Sequence, residues 1–213
     1  MKNSCPLCGF SNNPYLIIKQ KVYFDCIECK GIYLSPKNFL DDESEKNIYL
    51  KHVNDINDFK YQGFTKPIWS TIEQHFSKCD SLGLDYGCGT GPVISHVLNK
   101  KGFNVKQYDP YFANHPELLN LTYDYIFSCE VVEHFHSPFH EFQRFKEMLS
   151  KDGLLLIMTD IYRGGGLNEF QHWYYRHDPT HVFFYRESTF LYIQKKFGFS
   201  KMEIKDRLTR FTS

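Results

Sequence analysis

No run of about eighteen apolar residues occurs in the 213-residue chain, so the sequence offers no transmembrane helix. The opening MKNSCPLCGF lacks the apolar stretch of a secretory leader, and we expect a cytosolic protein with no membrane partner. Net charge is absent as well. The 25 Lys+Arg cancel the 25 Asp+Glu, which removes the basic field that a general nucleic-acid binder would use. With 42% hydrophobic and 23% charged residues, the composition also excludes a disordered or collagenous chain. The length suits one domain of about 150 residues and an appendage of about 60. Aromatic residues make up 17% of the chain, enough for a packed core or the walls of a deep pocket.

Seven cysteines in a reducing compartment are not a disulfide framework, so their spacing has to be read for metal binding or redox chemistry. Cys5-Pro-Leu-Cys8 and Cys26-Ile-Glu-Cys29 are two C-x-x-C pairs separated by 17 residues. Two tight turns at that spacing can present four thiolates tetrahedrally to one structural zinc ion. Gly9 and Gly31 follow the pairs, where a knuckle favours positive φ. Tyr15 to Lys19 and Lys21 to Asp25 read as short strands, so residues 1–35 form an expected zinc ribbon. About 35 residues bury too little to fold alone, and the metal would supply the difference. A redox role is the rival, but one pair would suffice for it. Residues 1–60 hold eight Lys and eight acids, which supports scaffolding or substrate covering over phosphate docking.

Residues 36–80 read as a helical linker or cap. Asp41 to Glu45 place acids in a first helical turn, and the stretch from Tyr49 to Phe64 is rich in His, Asn, Asp and aromatic residues. It can cap a ligand or simply connect domains. Residues 67–78 follow a helical period with Ile68, Ile72 and Phe76 on one face.

The apolar strand Ser81 to Tyr86 runs into Gly87-Cys88-Gly89-Thr90-Gly91, and a helix follows from Pro92. Such a loop lets backbone pass close beneath a ligand, and free N–H groups at the helix start receive anionic groups. A second strand, Phe103 to Tyr108, ends at Asp109, where a carboxylate can accept hydrogen bonds from ribose hydroxyls. The G-x-G-x-G spacing differs from the dinucleotide G-x-G-x-x-G, and no P-loop Lys-Ser/Thr is present. LDYGCGTG resembles motif I of the class I S-adenosylmethionine-dependent methyltransferases. The resemblance implies an α/β fold of the Rossmann-like type, its sheet covered by helices on both faces, over residues 81–213. It further implies that Asp85, Gly87, Gly89 and Gly91 hold the methionine end of S-adenosylmethionine, while Asp109 holds the ribose.

Tyr123 to Glu130 is similar to the family's fourth strand, Val131 to Phe135 to its E-x-x-E-H segment, and Lys151 to Asp160 to its fifth strand. The segment of Glu130, Glu133 and His134 is similar to one that is associated with a metal in the ubiquinone-pathway O-methyltransferases, and Trp173-Tyr174-Tyr175 and Asp178 to Val182 resemble segments of uncharacterised bacterial methyltransferases; where no metal is held, Glu130 lies beside the cofactor. A short third strand is expected at Glu117 to Leu121, a helix at Phe139 to Leu149, a last helix near Ser188 to Phe197 and an edge strand at Phe199 to Asp206. Glu130, Glu133 and His134 share one helical face and can hold a cation, although acids at a helix start equally complement its dipole.

Methyl transfer is an in-line displacement that needs alignment, exclusion of water and often a base. Past the fifth strand, Trp173 to Tyr185 packs aromatic rings around His177 and His181. His181, His177 and His134 are the candidate bases, His181 first. Cys88 and Cys129 read as small packing residues. The expected acceptor is a small molecule. RNA docked by the ribbon, or an idle cofactor-binding module, are the alternatives.

Overall fold

The computed structural model describes residues 4–52 and 54–213. Its first element is a hairpin of β1 (Pro14–Ile18) and β2 (Lys21–Asp25), joined by Lys19 and Gln20 at φ of 45° and 70°. Two positive φ values give the turn hand that matches strand twist. β3 (Ile32–Leu34) pairs with β2, and a 3-10 turn at Pro36–Asn38 leads to α1 (Asp42–Tyr49). Asp41 caps α1 by accepting the Ser44 N–H at 2.8 Å, and Asp42, Glu43 and Glu45 occupy its first turn.

α2 covers Phe59–His75, so it begins well before the expected residue 67. Gly63 and Pro67 read as breakers, yet Asp58 starts the helix by accepting the Lys60 N–H at 2.8 Å. Pro67 removes one ladder bond, while the Trp69 indole N–H and the Thr65 hydroxyl both reach the Gln62 carbonyl at 3.2 Å. Ile68 and Ile72 are buried on one face, as their spacing predicts.

From there strands and helices alternate: β4 (Leu82–Tyr86), α3 (Val93–Lys100), β5 (Asn104–Tyr108), β6 (Tyr123–Cys129), α4 (Pro138–Met148) and β7 (Leu149–Met158). After α5 (Leu167–His172) and β8 (Phe183–Phe184) come α6 (Glu187–Phe197), β9 (Lys201–Lys205) and β10 (Leu208–Thr212). The large sheet has the order β5-β4-β6-β7-β10-β9, parallel from β5 to β7 and antiparallel at β10 and β9. The expected α/β Rossmann-like sheet is therefore present. Its strand order reverses between β4 and β6, the point where α/β sheets open a crevice at their carboxyl ends.

Two expectations need correction. Residues Pro116–Asn120 form a 3-10 turn, and no third strand stands beside β5 among the described residues. A parallel strand needs a long crossover, and the 13 residues between Asp109 and Tyr123 leave no room for it. At the other edge, β9 is the expected strand, but a turn at Asp206 and Arg207 sends β10 back between β9 and β7. Thr209 and Phe211 point inward on β10 and are fully buried.

The small antiparallel sheet, β1-β2-β3-β8, borrows its last strand from the loop region before α6. Gly31 does not take positive φ; Lys30 does, at 63°. A side chain at Gly31 would strike the Phe183 ring at 2.4 Å, so this glycine permits the β3–β8 approach. Arg186 pairs with both oxygens of Asp25 at 2.8 and 2.9 Å. Cys5, Leu7, Cys26 and Cys29 share one apolar core with Leu84, Ile126 and Leu155 of the large sheet. Among the described residues, no helix is long and apolar enough to cross a membrane.

Candidate functional site

A cavity of about 860 Å³ opens at the carboxyl ends of β4, β5 and β6. Gly87, Cys88, Gly89 and Thr90 form its floor, with Asp109 at one side. Gly87 and Gly89 take φ of 82° and 61°, and the Gly87 and Cys88 N–H groups donate to the Tyr108 carbonyl at 2.8 and 3.2 Å. The loop is thus folded back onto the end of β5. Asp109 accepts the Gly89 N–H at 3.0 Å and the Tyr111 and Phe112 N–H groups at 2.8 and 3.1 Å. These three donors fix the carboxylate beside the loop.

Asp85 and Gly91 face elsewhere. Asp85 is buried beneath the loop, accepts the Ser95 hydroxyl at 2.6 Å and does not line the cavity; burial pushes its carboxyl up to about 7. Gly91 lies under the cap segment, where an added Cβ would meet the Asn54 carbonyl oxygen at 2.1 Å. From residues 36–80, Glu45, Tyr49, His52, Asn54 and Tyr61 line the cavity. Val53, within that stretch, lies outside the described residues.

Across from the loop, the segment after β6 and the segment before β8 bring together His134, His181 and Glu133. Each histidine Nδ1 meets a backbone carbonyl, His134 that of Thr180 at 3.1 Å and His181 that of Tyr175 at 2.7 Å. A carbonyl only accepts, so in each neutral ring Nδ1 carries the proton and Nε2 keeps its lone pair. Both Nε2 atoms turn toward Glu133 Oε1, at 4.0 and 3.9 Å. Burial lowers both imidazoles below the ordinary histidine value, leaving them neutral at pH 7.

Glu133 is fully buried and accepts hydroxyl hydrogens from Tyr175 and, at 2.9 Å, from Thr159. His177 is exposed and lies outside the cavity lining, so of these two histidines His181 lines the cavity and His177 does not. Residues Tyr174–His177 form a 3-10 turn.

Glu130 lines the cavity at φ of 54°, its N–H bonded to the Met158 carbonyl at 2.8 Å. Arg207 grips both of its oxygens at 2.8 and 2.6 Å, and the guanidinium sits over the Tyr175 and Phe64 rings at 5.5 Å. Burial and the neighbouring Glu133 carboxylate push the Glu130 carboxyl up, against the pull of Arg207. Sequence reading missed Arg207, Glu45 and Glu141. Glu45 accepts the Tyr49 hydroxyl at 2.5 Å and the Tyr111 hydroxyl at 3.3 Å, while Glu141 joins Arg144 and Tyr86 on the far wall. Tyr49 and Arg144 are near neighbours of these acids in sequence, but the contacts that bring them to the cavity, Arg207 to Glu130, Tyr111 to Glu45 and Tyr86 to Glu141, join residues 77, 66 and 55 apart, so no local pattern announces them. Burial raises the Cys88 and Cys129 thiols, which keeps both protonated.

The four cysteines Cys5, Cys8, Cys26 and Cys29 converge with all Sγ atoms within 4.8 Å of one another. The closest pairs, Cys5–Cys29 and Cys8–Cys26, are 3.5 and 3.4 Å apart. A zinc ion with bonds of about 2.3 Å sets thiolate sulfurs about 3.8 Å apart, so the cluster is consistent with a zinc site.

A methyltransferase domain family matches residues 71–204, well over half of the chain. No curated protein matches at a significant level. Among solved structures, magnesium protoporphyrin IX methyltransferase from Synechocystis superposes with TM-score 0.51 at 14% identity, covering 83% of this chain and 93% of that one. Phosphoethanolamine N-methyltransferase 2 of Haemonchus contortus gives 0.52 at 18% identity, covering 66% of this chain and 38% of the other. Mitomycin 7-O-methyltransferase gives 0.50 at 9% identity, with 80% and 66% covered. The chain thus spans just under two thirds of the mitomycin enzyme and a smaller share of the nematode one. These likenesses show a shared fold. The family match, together with a glycine loop and a carboxylate at the switch point of the sheet, makes this chain a member of the methyltransferase domain family, with a domain of the S-adenosylmethionine-dependent type.

Proposed function

We propose that the cavity binds S-adenosylmethionine along Gly87 and Gly89, with Asp109 on the ribose, and that a small-molecule acceptor enters from the side of His134 and His181. The single observation that carries this reading is that the glycine loop, Asp109 and the histidine pair all line one cavity. Cofactor and acceptor then share one enclosed space, as in-line displacement requires. Asp85 acts beneath the loop, holding Ser95 of α3, and Glu130 borders the cofactor while paired with Arg207.

Proton removal falls to the histidine pair. With each Nδ1 committed to a carbonyl, the pair offers its two Nε2 atoms as bases; both face Glu133, and that of His181 also lies 4.0 Å from Asp178 Oδ2. His181, the more buried of the two, is the leading base, and His134 packs edge-on against it. The cap supports a small acceptor, since Tyr49, His52 and Tyr61 narrow the approach. The structural role of the N-terminal cysteine cluster is to hold the small sheet through one zinc ion, and the β3–β8 pairing ties that sheet to the segment carrying His181. Release of S-adenosylhomocysteine across a panel of hydroxylated and amine-bearing small molecules tests the reading. Turnover on one compound class supports it, and turnover on RNA alone overturns the small-molecule assignment.

A further inference from the structure

We propose that Glu45, with Tyr49 and Tyr111, forms a subsite for a protonated amine carried by the acceptor, so that the substrate class is a cationic small molecule. The inference deepens the reading of this cavity as the acceptor's, and rests on it. The glycine loop and Asp109 are assigned to the cofactor, and the histidine pair to the atom that takes the methyl group. Glu45 lines the same cavity and belongs to neither.

The charge of the walls comes first. Seven carboxylates line the cavity, and Arg144 is the one Lys or Arg among the described residues that does so. Arg144 is already held by both oxygens of Glu141, at 3.0 and 2.9 Å. Arg207 answers Glu130, and three backbone N–H groups answer Asp109. A cavity with this surplus of negative charge draws cations and repels anionic acceptors.

Glu45 is where that surplus is both buried and unanswered. It is 5% exposed, and among the described residues no Lys or Arg lies within ion-pair distance of it. His136 Nε2 stands 3.8 Å away, too far for a hydrogen bond. The two oxygens accept the Tyr49 hydroxyl at 2.5 Å and the Tyr111 hydroxyl at 3.3 Å. Burial and the carboxylate itself raise both phenols, which therefore donate hydrogen bonds but no charge. A carboxylate in that setting gains its missing counter-charge from a bound ammonium. Asp42 and Glu43, in the same helical turn, are exposed and complement the helix dipole; Glu45 alone of the three is buried.

The rings beside Glu45 suit the same ligand. Tyr49 and Tyr111 both line the cavity, with centroids 5.9 Å apart, and tyrosine faces attract ammonium groups. The Tyr49 ring also meets His134 edge to face at 5.3 Å, so one side chain separates the amine subsite from the histidine pair. An acceptor anchored by its amine at Glu45 presents another part of itself to His134 and His181. Glu45 then decides which molecules are held, and the histidines act on the reacting atom.

The test is calorimetric titration of the full chain, with and without S-adenosylhomocysteine, using two matched sets of probes. Tyramine, tyrosol and 4-hydroxyphenylacetate share one skeleton and carry an amine, an alcohol and a carboxylate; hexylamine, hexanol and hexanoate do the same without a ring. In at least one set the amine is expected to bind about ten- to a hundredfold more tightly than the alcohol, with the carboxylate weakest. Glu45→Gln, which keeps an acceptor for Tyr49, should lose the preference and retain its S-adenosylhomocysteine affinity, whereas Glu43→Gln keeps both. Equal binding of amine and alcohol, a preference for the carboxylate, or no amine binding in either set overturns the proposal. So does a Glu45→Gln protein with weakened S-adenosylhomocysteine binding, which would put the residue on the cofactor. Wild-type protein that prefers the amine yet takes up no S-adenosylhomocysteine instead overturns the cofactor reading and leaves the amine subsite standing. If Glu45→Gln fails to fold, Glu45→Asp, which draws the carboxylate back by one methylene, replaces it with the same expected direction.

Discussion

The rings of His134 and His181 meet edge to face with centroids 4.7 Å apart, though one residue precedes β7 in the chain and the other follows it. Their Nδ1 atoms are tied to backbone carbonyls of the segment Tyr175 to Thr180, so one loop sets the direction of both rings. A carboxylate of zero exposure, Glu133, stands between their tips. The chemistry of the site depends on this arrangement.

Replacing His181 with Ala removes the proposed base. Turnover is expected to fall at least about a hundredfold, with S-adenosylhomocysteine affinity nearly unchanged, because the residue stands across the cavity from the glycine loop. Steady-state kinetics paired with calorimetry checks both halves. Near-normal turnover rules out His181.

Burial lowers both imidazoles, so the acidic limb of the rate profile lies below the ordinary histidine value of about 6.5. Activity rises as pH climbs through that limb and is already level near neutrality. A kcat/KM profile over acid and neutral pH reads the limb directly; a midpoint above 7 contradicts the neutral, buried pair.

Asp85 carries a carboxyl pushed up to about 7 by burial. From about pH 4 to 7 the unfolded chain releases a proton that the folded chain keeps, so this group lowers stability as pH rises, by at most about 1.4 kcal/mol per pH unit. Above 7 its effect levels off. Asp85→Asn keeps an acceptor for Ser95 and loses the slope. Urea midpoints of the two proteins should diverge in favour of the variant across that window, and parallel curves would refute the assignment.

Much of the site is written locally. The strand, glycine loop and helix from Leu82 to Lys100 are legible because apolar period, glycine spacing and Asp109 fall within a short stretch. The cysteine pairs are legible for the same reason, since two short turns carry all four thiols. The grip of Arg207 on Glu130 spans 77 residues, and the Arg186 contact with Asp25 spans 161, so neither leaves a local trace. The sequence reads His177 and His181 alike as candidate bases within one aromatic wall, but the chain turns as a 3-10 segment at Tyr174–His177 and leaves His177 exposed. α2 starts at Phe59 with Asp58 as its cap, and burial of Thr65, Ile68 and Ile72 accompanies a helix that runs through Gly63 and Pro67.

Stripping the proposed zinc from the four cysteines is expected to reach beyond the small sheet. β3 is paired with β8, and Arg186 holds Asp25, so loss of the metal loosens the segment that carries His181. Hydrogen exchange after chelation should rise both at residues 5–34 and at 175–186, with turnover falling in step. Exchange confined to the N-terminal residues contradicts the coupling.

Calorimetric titration of the wild-type protein with S-adenosylhomocysteine, beside Asp109→Ala, tests the cofactor site most directly. About one equivalent should bind to wild type, and the variant, which loses a ribose partner and frees the Gly89 N–H, should bind about ten- to a hundredfold more weakly. No uptake by folded wild-type protein, or equal affinity in the variant, contradicts the placement of the cofactor between the glycine loop and Asp109.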